Sequence, residues 1–267
     1  MYKIPEKKHH YTMINKYEKK LYSQNGEDGI INYIFKVIKT KTNKFVEFGF
    51  GMRENNSINL IINHGFEGLY IDGNKDTCKL SRKLYKQITS KKIHFLNAFI
   101  TKININGLIY RHYKGEIDFL SIDIDGNDCH ILDTINGINP RVVCVEFCSS
   151  IGPYRSVTVK YKPTFIRHNE HHSGMYCGAS LLGTSNVMKK KGYSLVGVVQ
   201  GLNAFYVRND ILDNLDNKLL LPKLDPIECW MPHFDRTVVR NISLEKQYNY
   251  IKDLEWTEID NNGNILN

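Results

Sequence analysis

The stretch KFVEFGFG, at residues 44–51, decides the fold of this chain. A short apolar run there ends in an acid and two glycines, which is typical of a buried strand that enters a tight turn. A second run, GLYIDGN at 68–74, also ends in an acid and a glycine. Between them, residues 56–64 have the periodicity of a helix. The stretch therefore predicts the first strand–helix–strand unit of a parallel sheet.

The same alternation continues on both sides of this unit. Apolar periodicity predicts helices over 26–39, 75–90, 128–137 and 178–192, and strands over 92–100, 116–128 and 141–147. The runs on either side of Gly201, YSLVGVVQ and NAFYVRND, predict a closing hairpin that adds an antiparallel edge. We therefore expect an α/β fold with a doubly wound, mostly parallel, seven-stranded sheet and an antiparallel C-terminal hairpin.

Residues 149–177 break this pattern. They are rich in Pro, Gly, Tyr, Arg and His, and they have no sustained helical period. Connections of this length in compact domains are usually functional. We interpret the segment as a lid inserted over the substrate.

Composition excludes several classes of protein. The 267 residues are 42% hydrophobic and 24% charged, so disorder, collagen and coiled coil are excluded. The net charge of +8 suits nucleic acid, a nucleotide, a phosphorylated sugar or a membrane surface, without choosing among them. A composition rich in Lys, Ile and Asn also follows from the codon bias of an AT-rich genome, which is an equally good explanation of the charge.

The N-terminal stretch and the cysteines indicate the compartment. No apolar run follows the first basic residues, and no segment approaches the roughly 20 apolar residues of a membrane span. The six cysteines form no CxxC pair, which argues against a zinc ribbon and a disulfide framework. We expect a cytoplasmic, reduced protein.

The strand ends carry the functional signal, because ligands of such sheets bind outside the carboxyl ends of the strands. The five predicted parallel strands end in acids or amides: Glu47, Asp72, Asn97, Asp123 and Glu146. The chain has no GxxxxGK[ST] loop, and the first turn lacks the third glycine of a dinucleotide GxGxxG. Glu54 also places a negative charge where a pyrophosphate would lie.

The pattern that remains, E-x-G-x-G over 47–51, favours a cationic nucleoside. S-adenosylmethionine carries an ammonium and a sulfonium but no phosphate, so a carboxylate at Glu47 suits it. Asp72 lies 25 residues further on, at the next strand end, where an acid binds ribose hydroxyls in nucleoside-binding folds. Together and in order, the two motifs indicate this cofactor.

At this point the chain resembles a family. An ordered set of motifs over about residues 22 to 212 is similar to class I S-adenosylmethionine-dependent methyltransferases of the FkbM-like group, which are associated with bacterial surface polysaccharides. These motifs are SQNGEDGIINYIF, FVEFGFG, GLYIDGN, NAFI, DFLSIDIDGND, PRVVCVEF, GASL and KKKGYSLVGVVQGLNAFYVRNDI. The resemblance implies a Rossmann-like methyltransferase fold.

The resemblance also implies roles for individual residues. The cofactor-binding set would be Gln24, Asp28, Glu47, Gly49, Gly51, Ser57, Asp72, Gly73, Asn97, Ala98 and Asp123. In this set, Glu47 and the two glycines after it would hold the methionine part, Asp72 the ribose and Asn97–Ala98 the adenine edge. Asp123 would lie nearest the transferring methyl, and Gln24 would lie in a segment that folds over the cofactor. The motif departs from the family at 50–54, where smaller residues are usual.

The resemblance and the patterns together predict one methyltransferase domain over 1–267. It divides into a basic N-terminal segment (1–21), a cofactor-binding half (22–148), the substrate lid (149–177), a helix with the closing hairpin (178–212) and a C-terminal cap (213–267).

The acids near the fourth strand end suggest a metal site. Asp123 and Asp125 lie two apart, so on a strand they face the same side, and Glu146 ends the neighbouring strand. Oxygen-only ligands suit Mg²⁺ or Mn²⁺, and such an ion would lower the pKa of an acceptor hydroxyl. The alternative is that residues 125–128 form an ordinary turn and helix cap.

Three histidines of the lid offer a second way to remove a proton. His168, His171 and His172 lie within five residues of one another. A histidine with a pKa near the working pH is the usual general base. A solvated surface role is the alternative for each of them.

The basic residues of the lid could recognise the acceptor. Arg155, Lys160, Lys162 and Arg167 are interleaved with tyrosines, which suits a phosphorylated or nucleotide-linked acceptor. The same mixture could stack on RNA bases, and most of these residues could simply be solvated.

We expect an O-methyltransferase whose acceptor is a polar or anionic small molecule. By the resemblance, the acceptor is a sugar, or a phosphorylated or nucleotide-linked precursor of a capsule or surface polysaccharide. The alternatives are an RNA methyltransferase and a non-catalytic nucleoside-binding protein. The chain shows no OB-fold, KH or RRM signature, which argues against nucleic acid. The oligomeric state is left open, a homodimer included.

Overall fold

A mainly parallel sheet of seven strands organises the computed structural model, which describes residues 14–266. Its strands are β1 Lys44–Phe48, β2 Glu67–Asp72, β3 Ile93–Asn97, β4 Gly115–Ile122, β5 Ile138–Glu146, β7 Tyr193–Val199 and β8 Asn203–Arg208, and a smaller two-stranded sheet is formed by β6 Val157–Val159 and β9 Trp256–Glu258. The order in the large sheet is β3-β2-β1-β4-β5-β8-β7. This confirms the predicted α/β fold class.

Helices connect these strands. They are α1 Glu27–Ile38, α2 Ile58–His64, α3 Lys75–Ile88, α4 Ile105–Tyr110, α5 Asp128–Thr134, α6 Arg167–Glu170, α7 Leu181–Lys190, α8 Asn209–Asp213, α9 Pro226–Cys229 and α10 Leu244–Ile251. Short 3₁₀ turns lie at Asn15–Tyr17, Ser149–Ile151 and Lys218–Leu220, and a π-helical turn covers Asp235–Val239. The helices predicted before the third strand are present, whereas α4 was not predicted.

Both faces of the sheet are buried, as expected of parallel strands. Along β1, Phe45 packs in one apolar cluster with α1, α2 and α3, while Val46 and Phe48 pack in the other with α4, α5 and α7. This is the period-two alternation of a strand. It leaves the carboxyl ends of the strands as the edge at which polar side chains can gather.

The closing hairpin is present, but its antiparallel strand is not at the edge of the sheet. β8 pairs antiparallel with both β5 and β7, so it lies inside the sheet and β7 forms the edge. Every side chain from Asn203 to Val207 is buried there. An interior place gives this apolar strand hydrogen-bonding partners on both sides, which an edge place would not.

The segment 149–177 is more ordered than its composition suggested. It contains β6 and α6, and β6 pairs with β9 through Val157 opposite Glu258. A third apolar cluster, which includes Val159 and Phe165, packs it against Ile251 of α10. The C-terminal residues therefore hold this segment in place.

Two further predictions concern the basic N-terminal segment and membrane spans. Residues 1–13 of that segment lie outside the described residues. Among residues 14–266, no helix has the length and apolarity to cross a bilayer.

Candidate functional site

A cavity of about 640 Å³ opens at the carboxyl ends of β1, β2, β4 and β5. Seven of the predicted cofactor residues line it: Gln24, Gly49, Gly51, Asp72, Gly73, Ala98 and Asp123. A smaller adjoining cavity of about 230 Å³ shares several of these residues and is also lined by Glu47. The combined volume of the two cavities is suitable for a small-molecule ligand.

The first turn needs its glycines because chain segments approach it closely. Gly49 has a φ of +68°, and a Cβ atom there would lie 1.5 Å from the carbonyl oxygen of Asp123. A Cβ on Gly51 would lie 2.5 Å from the carbonyl oxygen of Glu54. Gly49 thus lets the ends of β1 and β4 meet beside the cavity, and Gly51 lets the turn fold back on itself at Glu54.

Glu47 is a buried carboxylate with one oxygen free. Glu47 is only 3% exposed, and its Oε1 accepts a hydrogen bond of 3.0 Å from the backbone N–H of Asn56. Oε2 has no partner among the described residues. Burial raises the pKa of Glu47 to about 7. A cationic ligand group beside Oε2 would satisfy this oxygen and favour the ionised form.

Asp72 ends β2 with its carboxylate partly exposed to the cavity. Its Oδ1 accepts a hydrogen bond of 2.5 Å from the N–H of Asn74, and burial raises its pKa. The amide of Asn97 donates to the carbonyl oxygens of Asp72 and Gly73, at 3.0 and 2.9 Å. The N–H of Ala98 also donates to Asp72, at 3.0 Å. Asn97 therefore fixes the turn after β2 rather than lining the cavity.

Asp28 organises the segment that carries Gln24. Its Oδ2 accepts hydrogen bonds from the N–H groups of Leu21, Tyr22 and Ser23, at 2.9, 2.7 and 2.7 Å. This carboxylate is fully buried and does not line the described cavities. It acts by holding the neighbouring loop at the cavity.

Ser57 lies immediately before α2 and is also fully buried. Its hydroxyl has no hydrogen-bond partner that the structure describes. It lies next to Asn56, whose N–H binds Glu47. Its contribution is thus made beneath the first turn rather than at the cavity wall.

The three acids of the predicted metal site do come together. One carboxylate oxygen from each of Asp123, Asp125 and Glu146 lies within 4.8 Å of the others. Glu146 is 6% exposed, and its Oε2 is buried without a partner in the described chain. Burial, and then the neighbouring carboxylates, raise the pKa of Asp123 and of Glu146 well above their usual values. Carboxylates this close repel one another, which favours the protonated form in the ligand-free site.

Asp125 has a different environment from the other two acids. It forms an ion pair with Arg167, and its backbone φ is +59°. Asp128 shapes this turn, because its carboxylate accepts hydrogen bonds of 2.7 Å from the N–H groups of Ile124 and Gly126. Burial raises the pKa of Asp128 to about 6. Asp128 thus forms the predicted turn, although no side chain caps the start of α5, while Asp123 and Asp125 line the cavity.

The predicted lid histidines lie away from the cavity. In the described structure, none of His168, His171 and His172 lines it. The His168 ring lies against Gly174, and His171 Nδ1 is 2.8 Å from the hydroxyl of Ser173. The ring of His172 packs against that of His171 at a tilt of 43°.

Only one of the four basic lid residues reaches the cavity. Arg155, Lys160 and Lys162 form ion pairs with the carboxylates of residues 258, 255 and 170 at the surface. Arg167 lines the cavity, and its Nε donates to the carbonyl oxygen of Gly174 at 2.9 Å.

The cavity also has lining residues that the sequence interpretation missed. His233, Asp235, Arg236 and Arg240, from the C-terminal segment, complete one wall. Their spacing of three and four places His233, Arg236 and Arg240 on one side of a helical turn. That spacing could have indicated these residues from the sequence, but the C-terminal segment that contains them has no clear periodic pattern.

Fold and site define an α/β protein with a Rossmann-like sheet and a cavity of carboxylates and guanidinium groups at its carboxyl edge. No family model matches the chain, and no curated protein is similar to it.

Solved structures resemble the chain distantly. The N-terminal domain of EvdMO1, with SAH bound, is 10% identical, covers 70% of this chain and 80% of its own, and has a TM-score of 0.43. Magnesium protoporphyrin IX methyltransferase (ChlM) from Synechocystis PCC 6803, with bound SAM, is 11% identical and has a TM-score of 0.41. That match covers 68% of this chain and 77% of ChlM. PKMT2 from Rickettsia typhi, in complex with AdoHcy, is 17% identical, with a TM-score of 0.34. The match covers 47% of this chain and only 25% of PKMT2.

Proposed function

We propose that this protein is an S-adenosylmethionine-dependent O-methyltransferase. The observation that carries the proposal is the first turn, where an unpartnered buried oxygen of Glu47 lies beside the two glycines and Asp72 ends the next strand. This donor set suits a ligand with a cationic end and ribose hydroxyls. The acidic residues around the turn disfavour a pyrophosphate.

The residues of the turn fit the cofactor. Glu47 Oε2 is a free acceptor for an ammonium group, and Gly49 and Gly51 let the backbone of the turn pack closely against Asp123 and Glu54. Asp72 offers a carboxylate to ribose hydroxyls, and Ala98 and Gln24 line the cavity near it. When bound, S-adenosylmethionine supplies a methyl group that passes to the acceptor oxygen as the carbon–sulfur bond breaks.

The carboxyls of Asp123 and Glu146 are our candidates for the proton acceptor. Burial and the neighbouring carboxylates raise the pKa of both groups, which makes either ionised carboxylate a stronger base than an ordinary one. The unpartnered Oε2 of Glu146 has room for a further hydrogen bond. In this proposal the acceptor hydroxyl loses its proton to that oxygen while its own oxygen gains the methyl group.

A divalent ion at the same acids is a second way to activate the acceptor. The convergence of three carboxylate oxygens within 4.8 Å suits Mg²⁺ or Mn²⁺, which prefer oxygen ligands. Asp125 would have to exchange its ion pair with Arg167 for the metal. Titration of Mn²⁺ into the wild type and Asp125→Asn tests this: binding that Asp125→Asn weakens supports the ion, and no binding to the wild type contradicts it.

The lid histidines predicted as bases are a weaker alternative. Their rings contact Ser173, Gly174 and one another rather than the cavity. They would act only if the segment 149–177 moved. Unchanged turnover in His171→Ala and His172→Ala would contradict such a role.

The acceptor that we propose is a polar small molecule, a sugar or a phosphorylated or nucleotide-linked precursor of a surface polysaccharide in the cytoplasm. The sugar assignment rests on the family resemblance of the sequence. A cavity with both carboxylates and guanidinium groups supports a polar acceptor. A concave site of about 640 Å³ favours a small molecule over RNA as acceptor.

A methyl-transfer assay tests the proposal and its runner-up together. The full chain is incubated with S-adenosylmethionine labelled in its methyl group and with sugar phosphates, nucleotide sugars or RNA. Transfer to a sugar derivative, at a rate that changes little with salt, is the expected result. Transfer only to RNA, with affinity that falls steeply as salt rises, would support the RNA methyltransferase instead.

A further inference from the structure

Arg236 is a buried cation without an acid partner. Its residue is only 6% exposed, yet it lines the cavity beside the carboxyl edge. Its Nη1 donates to the hydroxyl of Ser150 at 3.2 Å, and that hydroxyl donates to Gln247 at 2.8 Å. The Ser150 hydroxyl is neutral, and Arg236 forms no direct ion pair with the carboxylates of residues 14–266. A buried, unpaired guanidinium is costly unless a ligand supplies an anion.

The two other guanidinium groups of this wall already have acid partners. Arg167 pairs with Asp125, and Arg240 pairs with Asp235 through a contact of 2.6 Å. These pairs hold both side chains at the cavity. Arg236, by contrast, has the neutral hydroxyl of Ser150 as its direct hydrogen-bond partner.

His233 provides a neutral hydrogen-bonding group beside Arg236. Its Nδ1 is buried and has no partner in the described structure. Burial, and then the positive charge of Arg236, lower the pKa of His233 to about 4. The ring is therefore uncharged at neutral pH, chiefly because it is buried.

The buried thiol of Cys148 interacts with Arg236 from the interior of the protein. The hydrogen bond from Cys177 and the charge of Arg236 lower the pKa of Cys148 to about 6. Cys148 is 1% exposed and does not line the described cavity, whereas Arg236 does. A thiolate at Cys148 would therefore balance the charge from the interior and leave the donors that face the cavity free.

We propose that Arg236, with Arg240 and His233, binds a phosphate group of the acceptor. A planar guanidinium matches the oxygens of phosphate with two parallel hydrogen bonds, and a second arginine at the mouth of the cavity adds charge. The inference rests on the proposed function, because it takes the acceptor to lie in the same cavity as the cofactor. It assigns the acceptor's anion to the C-terminal segment rather than to the lid.

Calorimetric titration of inorganic phosphate into the full chain tests this, with and without saturating S-adenosylhomocysteine. The variants are Arg236→Gln and Arg240→Gln, and Arg155→Gln is the control because its ion pair lies at the surface, away from the cavity. We expect Arg236→Gln to weaken phosphate binding by at least about tenfold and Arg240→Gln by several-fold, with the control unchanged. Arg240→Gln removes an exposed side chain, so it remains informative if Arg236→Gln fails to fold.

The outcomes separate this inference from the proposed function. Phosphate binding that depends on Arg236 or Arg240 supports the subsite even if S-adenosylhomocysteine does not bind, in which case only the methyltransferase proposal fails. No phosphate binding by the wild type at millimolar concentration would overturn the subsite. Equal phosphate binding by the wild type and Arg240→Gln, with Arg236→Gln folded and also equal, would overturn it as well.

Discussion

Gly49 lies so close to Asp123 that a Cβ atom on the glycine would be 1.5 Å from the aspartate's carbonyl oxygen. The two residues follow β1 and β4, which are neighbours in the sheet. The N–H of Asp123 in turn donates to the carbonyl oxygen of Phe48 at 3.3 Å. This contact places the cofactor turn and the candidate proton acceptor at one point of the cavity.

Replacing Gly49 should therefore damage both the fold and the cavity. We expect Gly49→Ala to lower the free energy of unfolding by about 3 kcal/mol, because the backbone must move and a φ of +68° disfavours a side chain. Gly107→Ala is the control: it lies in α4 with nothing within 4 Å of its Cβ, and it should raise stability by about 0.5 to 1 kcal/mol. Urea denaturation measures both. Equal stability of Gly49→Ala and the wild type would show that the close approach is not constrained.

Glu47 should make the ligand-free protein less stable as the pH rises. Its pKa is about 7 in the folded protein and lower in the unfolded chain, so folding takes up a proton between these values. The proton on Glu47 therefore stabilises the folded protein fully below the pKa of Glu47 in the unfolded chain. That stabilisation is lost as the pH rises through about 7. We expect Glu47→Gln to be more stable than the wild type by about 3 kcal/mol at pH 8, and by much less at pH 5. A difference that does not change with pH would contradict the raised pKa.

Asp128 should be more important for stability than its exposed neighbour on the same helix. Asp128→Ala removes the acceptor of the Ile124 and Gly126 N–H groups, and it should cost about 2 to 3 kcal/mol. Asp133→Ala, also on α5, removes a partly exposed ion pair with Lys190 and should cost at most about 1 kcal/mol. Thermal and urea unfolding measure both variants. Equal costs would mean that the turn does not depend on Asp128.

Glu146 should affect the chemical step more than cofactor binding. We expect Glu146→Gln to keep its affinity for S-adenosylhomocysteine and to lower the rate of methyl transfer by about 10²-fold or more. His171→Ala serves as the matched control, since this ring lies outside the cavity and should leave the rate unchanged. Single-turnover kinetics with an accepted substrate measure the rate. A rate that falls in His171→Ala but not in Glu146→Gln would indicate that a histidine of the lid is the base instead.

Local patterns predicted most of the fold. Each strand of the large sheet is a short apolar run, and apolar runs that end in acids and glycines mark the carboxyl edge without any tertiary information. The place of β8 inside the sheet was not predictable in this way. A hairpin specifies that β7 and β8 pair, whereas the pairing of β8 with β5 depends on contacts between distant parts of the chain.

The site was predicted only where its residues follow strands. Asp123, Asp125 and Glu146 converge because neighbouring parallel strands end at the same edge. Arg236 and His233 reach the cavity only through the packing of the C-terminal segment, which no local pattern describes. The lid histidines show the converse, since residue types suited to catalysis were close in sequence but turned to other partners.

The central claim is that the first turn binds S-adenosylmethionine, and calorimetric titration of S-adenosylhomocysteine into the full chain tests it most directly. We expect one site per chain, an affinity weakened by at least about tenfold in Asp72→Ala, and an unchanged affinity in Asp133→Ala. Asp72 lines the cavity, whereas Asp133 pairs with Lys190 on α7. No binding by the wild type at high micromolar concentration, or equal affinity in Asp72→Ala, would contradict the account.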